Sequence, residues 1–136
     1  MAGYSGTPLP KKLGIKPGAR VALVDPPEGF REVLGELPDG VAFVAPGCGA
    51  IDVVVCFVAG EQGLADRFLD LKQQLQPAGG LWIAWPKRGR GTPMGIGENA
   101  IREVGLAAGL VDNKVCAIDE RWSGLRFVFR REDRPR

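Results

Sequence analysis

Residues 51–59 read Ile51-Asp52-Val53-Val54-Val55-Cys56-Phe57-Val58-Ala59, an almost unbroken apolar run rich in β-branched side chains. A strand with one face in water alternates apolar and polar positions, and this one does not. The pattern is that of a parallel strand covered on both faces, and such strands occur in α/β proteins whose connecting helices supply the cover. The run therefore commits the chain to an α/β domain, and the other segments are read around it.

Arg20-Val21-Ala22-Leu23-Val24-Asp25 is a second run of buried-strand length, closed by Pro26 and Pro27. A short helix is expected over residues 27–37, with Phe30, Val33, Leu34 and Leu37 on one face, and Pro38-Asp39-Gly40 stops it. Residues 41–45 form a short strand. Its link to the 51–59 strand has five residues, too few for the crossover between adjacent parallel strands. The two strands either form a hairpin or lie apart, with the link running across the end of the sheet; the second arrangement is the one expected. The clearest helix covers residues 63–76, with Leu64, Phe68, Leu71 and Leu75 on one stripe. Pro77-Ala78-Gly79-Gly80 is read as its breaker, 81–85 as a strand, 86–95 as a Gly-rich basic loop, and 97–109 as a helix with Ala100, Ile101, Val104 and Ala108 inward. Segments 110–118 and 125–131, joined by a polar turn that contains Trp122, predict an antiparallel hairpin. The succession predicts a single Rossmann-like three-layer α/β domain over residues 20–131, with a mostly parallel sheet and a C-terminal antiparallel hairpin. Residues 1–19 are expected to be an N-terminal arm or cap, and 132–136 a basic tail.

Composition narrows the chemistry. At 136 residues, 45% apolar and 25% charged, the chain suits one compact domain. It has no histidine, so Ser-His-Asp, Cys-His and HExxH chemistries are excluded within it. Any acid–base catalyst would be a carboxylate, Lys, Tyr or Cys. Its three cysteines, Cys48, Cys56 and Cys116, have neither zinc spacing nor an even count, which predicts free thiols in a reducing compartment and no metal. The net charge of +2, with Lys and Arg scattered apart from clusters at 11–12, 87–90 and 130–136, does not suggest a nucleic-acid binder. No stretch reaches the length of a membrane span, and no apolar leader opens the chain; a cytoplasmic protein is expected.

The Asp-containing apolar strand 51–57, the helix 64–75, the turn Leu75-Gln76-Pro77-Ala78-Gly79-Gly80-Leu81 and the closing hairpin over 111–129 resemble the C-terminal half of class I S-adenosylmethionine-dependent methyltransferases. The opening Gly3-Tyr4-Ser5-Gly6-Thr7-Pro8-Leu9 with Lys12-Leu13-Gly14-Ile15, and the closing Trp122-Ser123-Gly124-Leu125-Arg126-Phe127, resemble the uncharacterised bacterial DUF3052 family. The second resemblance spans nearly the whole chain and implies a fold without an activity. The methyltransferase resemblance implies a Gly-x-Gly-like turn after the first strand and an acidic residue at the end of the second. Here the first strand ends Val24-Asp25-Pro26-Pro27-Glu28-Gly29, where two prolines remove backbone donors, and the second ends Val44-Ala45-Pro46. Both markers are missing, so no cofactor is expected.

Ligands of an open α/β sheet bind beyond the carboxyl ends of its strands, where segments 25–30, 59–63 and 86–98 should converge. In the third, Lys87, Arg88 and Arg90 supply charge, while Gly95, Gly97 and Glu98 surround the amides at a helix start, which attract anions. A phosphate or carboxylate would suit that loop; a solvated basic loop is the plain alternative. Asp25, Glu28 and Trp122 are further cleft candidates, the acids otherwise explained as helix caps and the ring as a cover for the sheet. The function expected is non-catalytic binding of a small anionic ligand or a protein partner. The alternatives are a methyltransferase with an altered cofactor loop and a self-associating interaction module, which leaves a homo-oligomer open.

Overall fold

The computed structural model describes residues 8–47, 49–87 and 96–133. Among them a six-stranded sheet runs in the order β2-β1-β3-β4-β6-β5, formed by β1 (Arg20–Val24), β2 (Ala42–Phe43), β3 (Ile51–Phe57), β4 (Leu75–Pro86), β5 (Leu110–Ala117) and β6 (Trp122–Phe129). The sheet is mixed. β2, β1, β3 and β4 are parallel, and the β5–β6 hairpin joins β4 antiparallel through β6. β2 and β3 lie on opposite sides of β1, so their short link crosses the sheet end, the second of the two arrangements that its length allows.

The apolar run at the centre of the chain is the centre of the molecule. Along β3, Ile51, Val54 and Cys56 join one apolar cluster while Val53, Val55 and Phe57 join a second, so each face of the sheet is covered. The first cluster is closed by α3 (Leu64–Gln74) through Leu64, Phe68 and Leu71, and by α4 (Glu98–Ala107) through Ile101. Phe68 meets Phe127 of β6 edge to face at 4.9 Å. The second cluster is closed by Leu13 and Ile15, which follow α1 (Leu9–Lys12), and by Phe30 and Leu34 of α2 (Phe30–Leu34). Trp82, fully buried under this cover, donates its indole N–H to the Leu13 carbonyl at 3.0 Å.

Three local expectations change. The helix expected over 27–37 is only Phe30–Leu34, because Gly29 (φ 81°) and Gly35 (φ 74°) leave the helical region at its two ends; Val33 is 46% exposed. The Pro77–Gly80 breaker lies inside β4, whose register with β3 shifts between Ile51 and Val53. Such an irregularity tolerates a proline with no N–H to give the ladder. Trp122 and Ser123 belong to β6 rather than to the turn, since Asp119 Oδ1 accepts the N–H groups of Arg121 (2.7 Å) and Trp122 (2.9 Å) and closes a tighter turn.

Candidate functional site

The connection leaving β1 runs to β2 and that leaving the adjacent β3 runs to β4, in opposite directions along the sheet, which makes the carboxyl ends of β1 and β3 its topological switch point. Asp25 stands there, directly after β1, with φ 52°, a left-handed conformation uncommon outside glycine. Its Oδ2 accepts from Arg67 Nη2 at 2.7 Å, and Arg67 Nη1 lies 3.9 Å from the Cys56 sulfur at the end of β3. Arg67 sits in the first turns of α3 and reaches back over the strand ends. Asp25, Val58, Gly60, Gln62 and Arg67 line an open cleft of about 440 Å³. Burial pushes the Cys56 thiol up to about 11 even though Arg67 opposes the shift, so the sulfur stays protonated near neutrality and is a poor nucleophile.

A second cleft, about 640 Å³, opens between the turn after β1 and the end of β2; Pro26, Pro27, Glu28, Phe43 and Ala45 line it. The Arg31 guanidinium lies over the Phe43 ring at 4.1 Å. The first amide of α2, that of Phe30, is taken by the Pro27 carbonyl at 3.1 Å, and Pro26 and Pro27 have none to offer. Positions 26, 27 and 30 of this turn therefore offer no amide to an anion.

Of the residues singled out in the sequence, Asp25 lies at the switch point and Glu28 is exposed on the wall of the second cleft. Trp122 is half-buried and packs edge to face on Phe57 at 5.0 Å, which in turn meets Phe30 at 4.8 Å; its ring covers the sheet end. Lys87 leaves β4 at the same end, its amide donating to the Arg121 carbonyl at 2.8 Å. Glu98, the first residue of α4, is turned to Arg102 at 2.5 Å, and Arg102 also holds Asp112 of β5 at 3.0 Å, so this acid ties helix to strand. Gly97 precedes α4 in an extended conformation. Arg88, Arg90 and Gly95 lie outside the described residues. Arg67 was not legible as a site residue. Forty-two positions separate it from Asp25, and the only local signal is a lone basic residue early in the helix that follows β3.

A family model described as "Protein of unknown function (DUF3052)" matches residues 35–131. No curated protein matches the chain in sequence. Among solved structures, a fibrillarin pre-rRNA processing protein of Methanococcus jannaschii is similar with a TM-score of 0.63 at 13% identity, over 94% of this chain and 71% of that one. A SAM-dependent methyltransferase of Aquifex aeolicus gives 0.62 at 14%, over 86% and 85%. A ribosomal protein L11 methylase of Lactobacillus delbrueckii subsp. bulgaricus gives 0.63 at 13%, over 90% and 75%. At these identities the likeness shows the fold: an α/β domain on one sheet, resembling the methyltransferases. The residues present do not fit S-adenosylmethionine in the pattern that resemblance implies. The turn after β1 begins with an ion-paired aspartate and two prolines where glycine amides are needed, and β2 is followed by Val44-Ala45 with no carboxylate.

Proposed function

The chain belongs to the DUF3052 family of proteins of unknown function, and from that premise we propose that it is a binding domain on a methyltransferase-like fold. It takes a small anionic ligand at the carboxyl end of the sheet and transfers no methyl group. The observation that carries the reading is the Asp25–Arg67 ion pair: it spans the switch point, with Pro26-Pro27 behind it, where a cofactor-binding turn would have to be open. Lys87 at the same sheet end, followed in sequence by Arg88 and Arg90, supports an anion as the ligand. The same reading makes the architecture Rossmann-like with three layers, supported by the two apolar clusters that β3 feeds alternately.

Two measurements test it. Calorimetric titration with S-adenosylmethionine is expected to give no saturable heat; micromolar binding overturns the reading and favours a methyltransferase with an altered loop. Phosphate at ten times its dissociation constant should stabilise the native state by about 1.4 kcal/mol, a rise of roughly 5 °C in melting temperature for a domain of this size. Joint replacement Lys87→Ala, Arg88→Ala, Arg90→Ala should abolish the rise. An equal response in wild type and variant leaves only a solvated basic loop.

A further inference from the structure

β2 ends the sheet order, so among the described residues it has β1 on one side and no strand on the other. The amides of Ala42 and Val44 donate towards β1, to the carbonyls of Ala19 at 3.0 Å and Val21 at 2.8 Å. Backbone groups alternate in direction along a strand, so the N–H and C=O of Phe43, between those two residues, point to the open edge. Among the described residues no hydrogen bond uses either group. We propose that this edge takes a short, extended, basic segment of a partner protein as an added strand, its main chain paired with Phe43 and one lysine or arginine side chain turned to Glu28 and Glu32.

The edge and the cleft of about 640 Å³ meet at Phe43, which lines that cleft. The Phe43 ring packs against the second apolar cluster, on the α2 face of the sheet, and carries the Arg31 guanidinium at 4.1 Å. Residues opposite each other on neighbouring strands turn their side chains to the same face. A segment residue opposite Phe43 therefore projects beside that ring, on the face of α2. Glu28 and Glu32 are exposed in the wall there, and Glu32 Oε2 lies 3.9 Å from where a Cβ on Gly29 would stand, so its carboxylate lies back over the turn that lines the cleft. Neither acid is in an ion pair among the described residues. The third charge of the wall, Arg31, is already drawn onto Phe43, which makes that ring a receptor for a planar cation. Two carboxylates against one arginine leave the wall negative, and a basic side chain complements it.

Two features narrow the occupant further. Pro38 and Pro46 stand on either side of the open stretch, and a proline has no N–H to give a ladder, so the added strand is short. A second copy paired edge to edge would bring Ala42-Phe43-Val44, which has no cation, towards the carboxylates. A segment of another protein, held by main-chain hydrogen bonds and selected at one basic position, meets both conditions.

Nitrogen-15 NMR of the full chain tests the surface, by titration with an acetylated and amidated pentapeptide of threonine, valine, arginine, valine and threonine. Saturable shifts and slower hydrogen exchange are expected at the Phe43 amide. Glutamate in place of the arginine should weaken binding about tenfold, because it sets like charges together. The arginine peptide N-methylated at its three central residues keeps the charge and should give no saturable shift, since it cannot pair through its main chain. Joint replacement Glu28→Gln, Glu32→Gln alters exposed positions only and should weaken the arginine peptide about three- to fivefold, in the range of exposed ion pairs. The absence of a saturable shift, equal binding of the glutamate or N-methylated peptide, or unchanged affinity in the double variant overturns the proposal. So does a dimer, seen by sedimentation, in which the Phe43 amide is protected without peptide, since a second copy then holds the edge.

Discussion

Gly105 sits inside α4, where glycine costs about 1 kcal/mol relative to alanine, and packing explains why it is there. The Phe127 ring lies against the helix backbone, and a Cβ at Gly105 would fall 2.7 Å from Cδ2 and Cζ of that ring. Phe127 is fully buried and wedged against Phe68, so it has little room to move. Gly105→Ala should therefore destabilise by roughly 1–3 kcal/mol despite the gain in helix propensity; a rise in the urea midpoint would mean the ring can yield. Asp25 presents a closer balance. Its left-handed backbone costs about 1–2 kcal/mol, and its ion pair with Arg67 joins side chains 42% and 62% exposed, worth at most about 1 kcal/mol. Asp25→Gly should leave stability within about 1 kcal/mol of wild type, or slightly above it. Cys56 predicts a pH effect. Its thiol is raised from 9.0 to about 11 in the native state, chiefly by burial, so the unfolded chain loses its proton first as pH rises. The stability this contributes is whole below pH 9 and is lost between pH 9 and about 11. Cys56→Ala should flatten the fall in urea midpoint over that window, and an unchanged slope would assign the fall to other groups.

Among the elements, α3 shows how a stripe becomes a core contact. Leu64, Phe68 and Leu71 are 1%, 0% and 2% exposed, while Leu69 on the same helix is 49% exposed. Phe68→Ala should cost about 3–5 kcal/mol and Leu69→Ala no more than about 0.5; similar losses at both positions, read from denaturant midpoints, would contradict the burial pattern. The C-terminal hairpin carries its own protection. β5 is an edge strand, and its register against β6 shifts between Asp112 and Lys114, where Asn113, Lys114 and Val115 are exposed. A bulge and an exposed lysine blunt an edge against pairing with a second chain. That counts against self-association through β5.

For the molecule as a whole, the segment after α1 decides whether the second apolar cluster is closed. Leu13 and Ile15 are 0% and 4% exposed, and the Leu13 carbonyl is the partner of the buried Trp82 indole. Burying side chains of that size is worth about 1.5–3 kcal/mol each, and a buried N–H left without a partner costs about 1–3 kcal/mol. Set against a total stability of about 5–15 kcal/mol, removal of residues 1–15 should abolish cooperative unfolding and expose dye-binding apolar surface. A truncated chain that melts as sharply as the full one would show that the segment is dispensable.

The sequence by itself determined the elements whose signal is local. The run at 51–59 had to become a strand covered on both faces because it has no polar side to turn to water, and β3 is that strand. The stripe at Leu64, Phe68 and Leu71 is buried for the same reason, whereas Leu75, expected to close it on the helix, is extended and opens β4. The placement of 41–45 was only narrowed: a five-residue link excludes an adjacent parallel strand but allows a hairpin, and the structure takes the non-adjacent position. Asp25, Glu28 and Lys87 could be assigned to the carboxyl end of the sheet because strand direction fixes that end. The tertiary structure alone decided what depends on partners distant along the chain. Arg67 reaches Asp25 across forty-two positions, and Trp82 finds Leu13 across sixty-nine. Arg126 lies over Gly80, and Phe127 over Gly105, because strand order brings β6 between β4 and β5. Periodicity records which face a residue turns inward; it carries no record of which side chain meets it there.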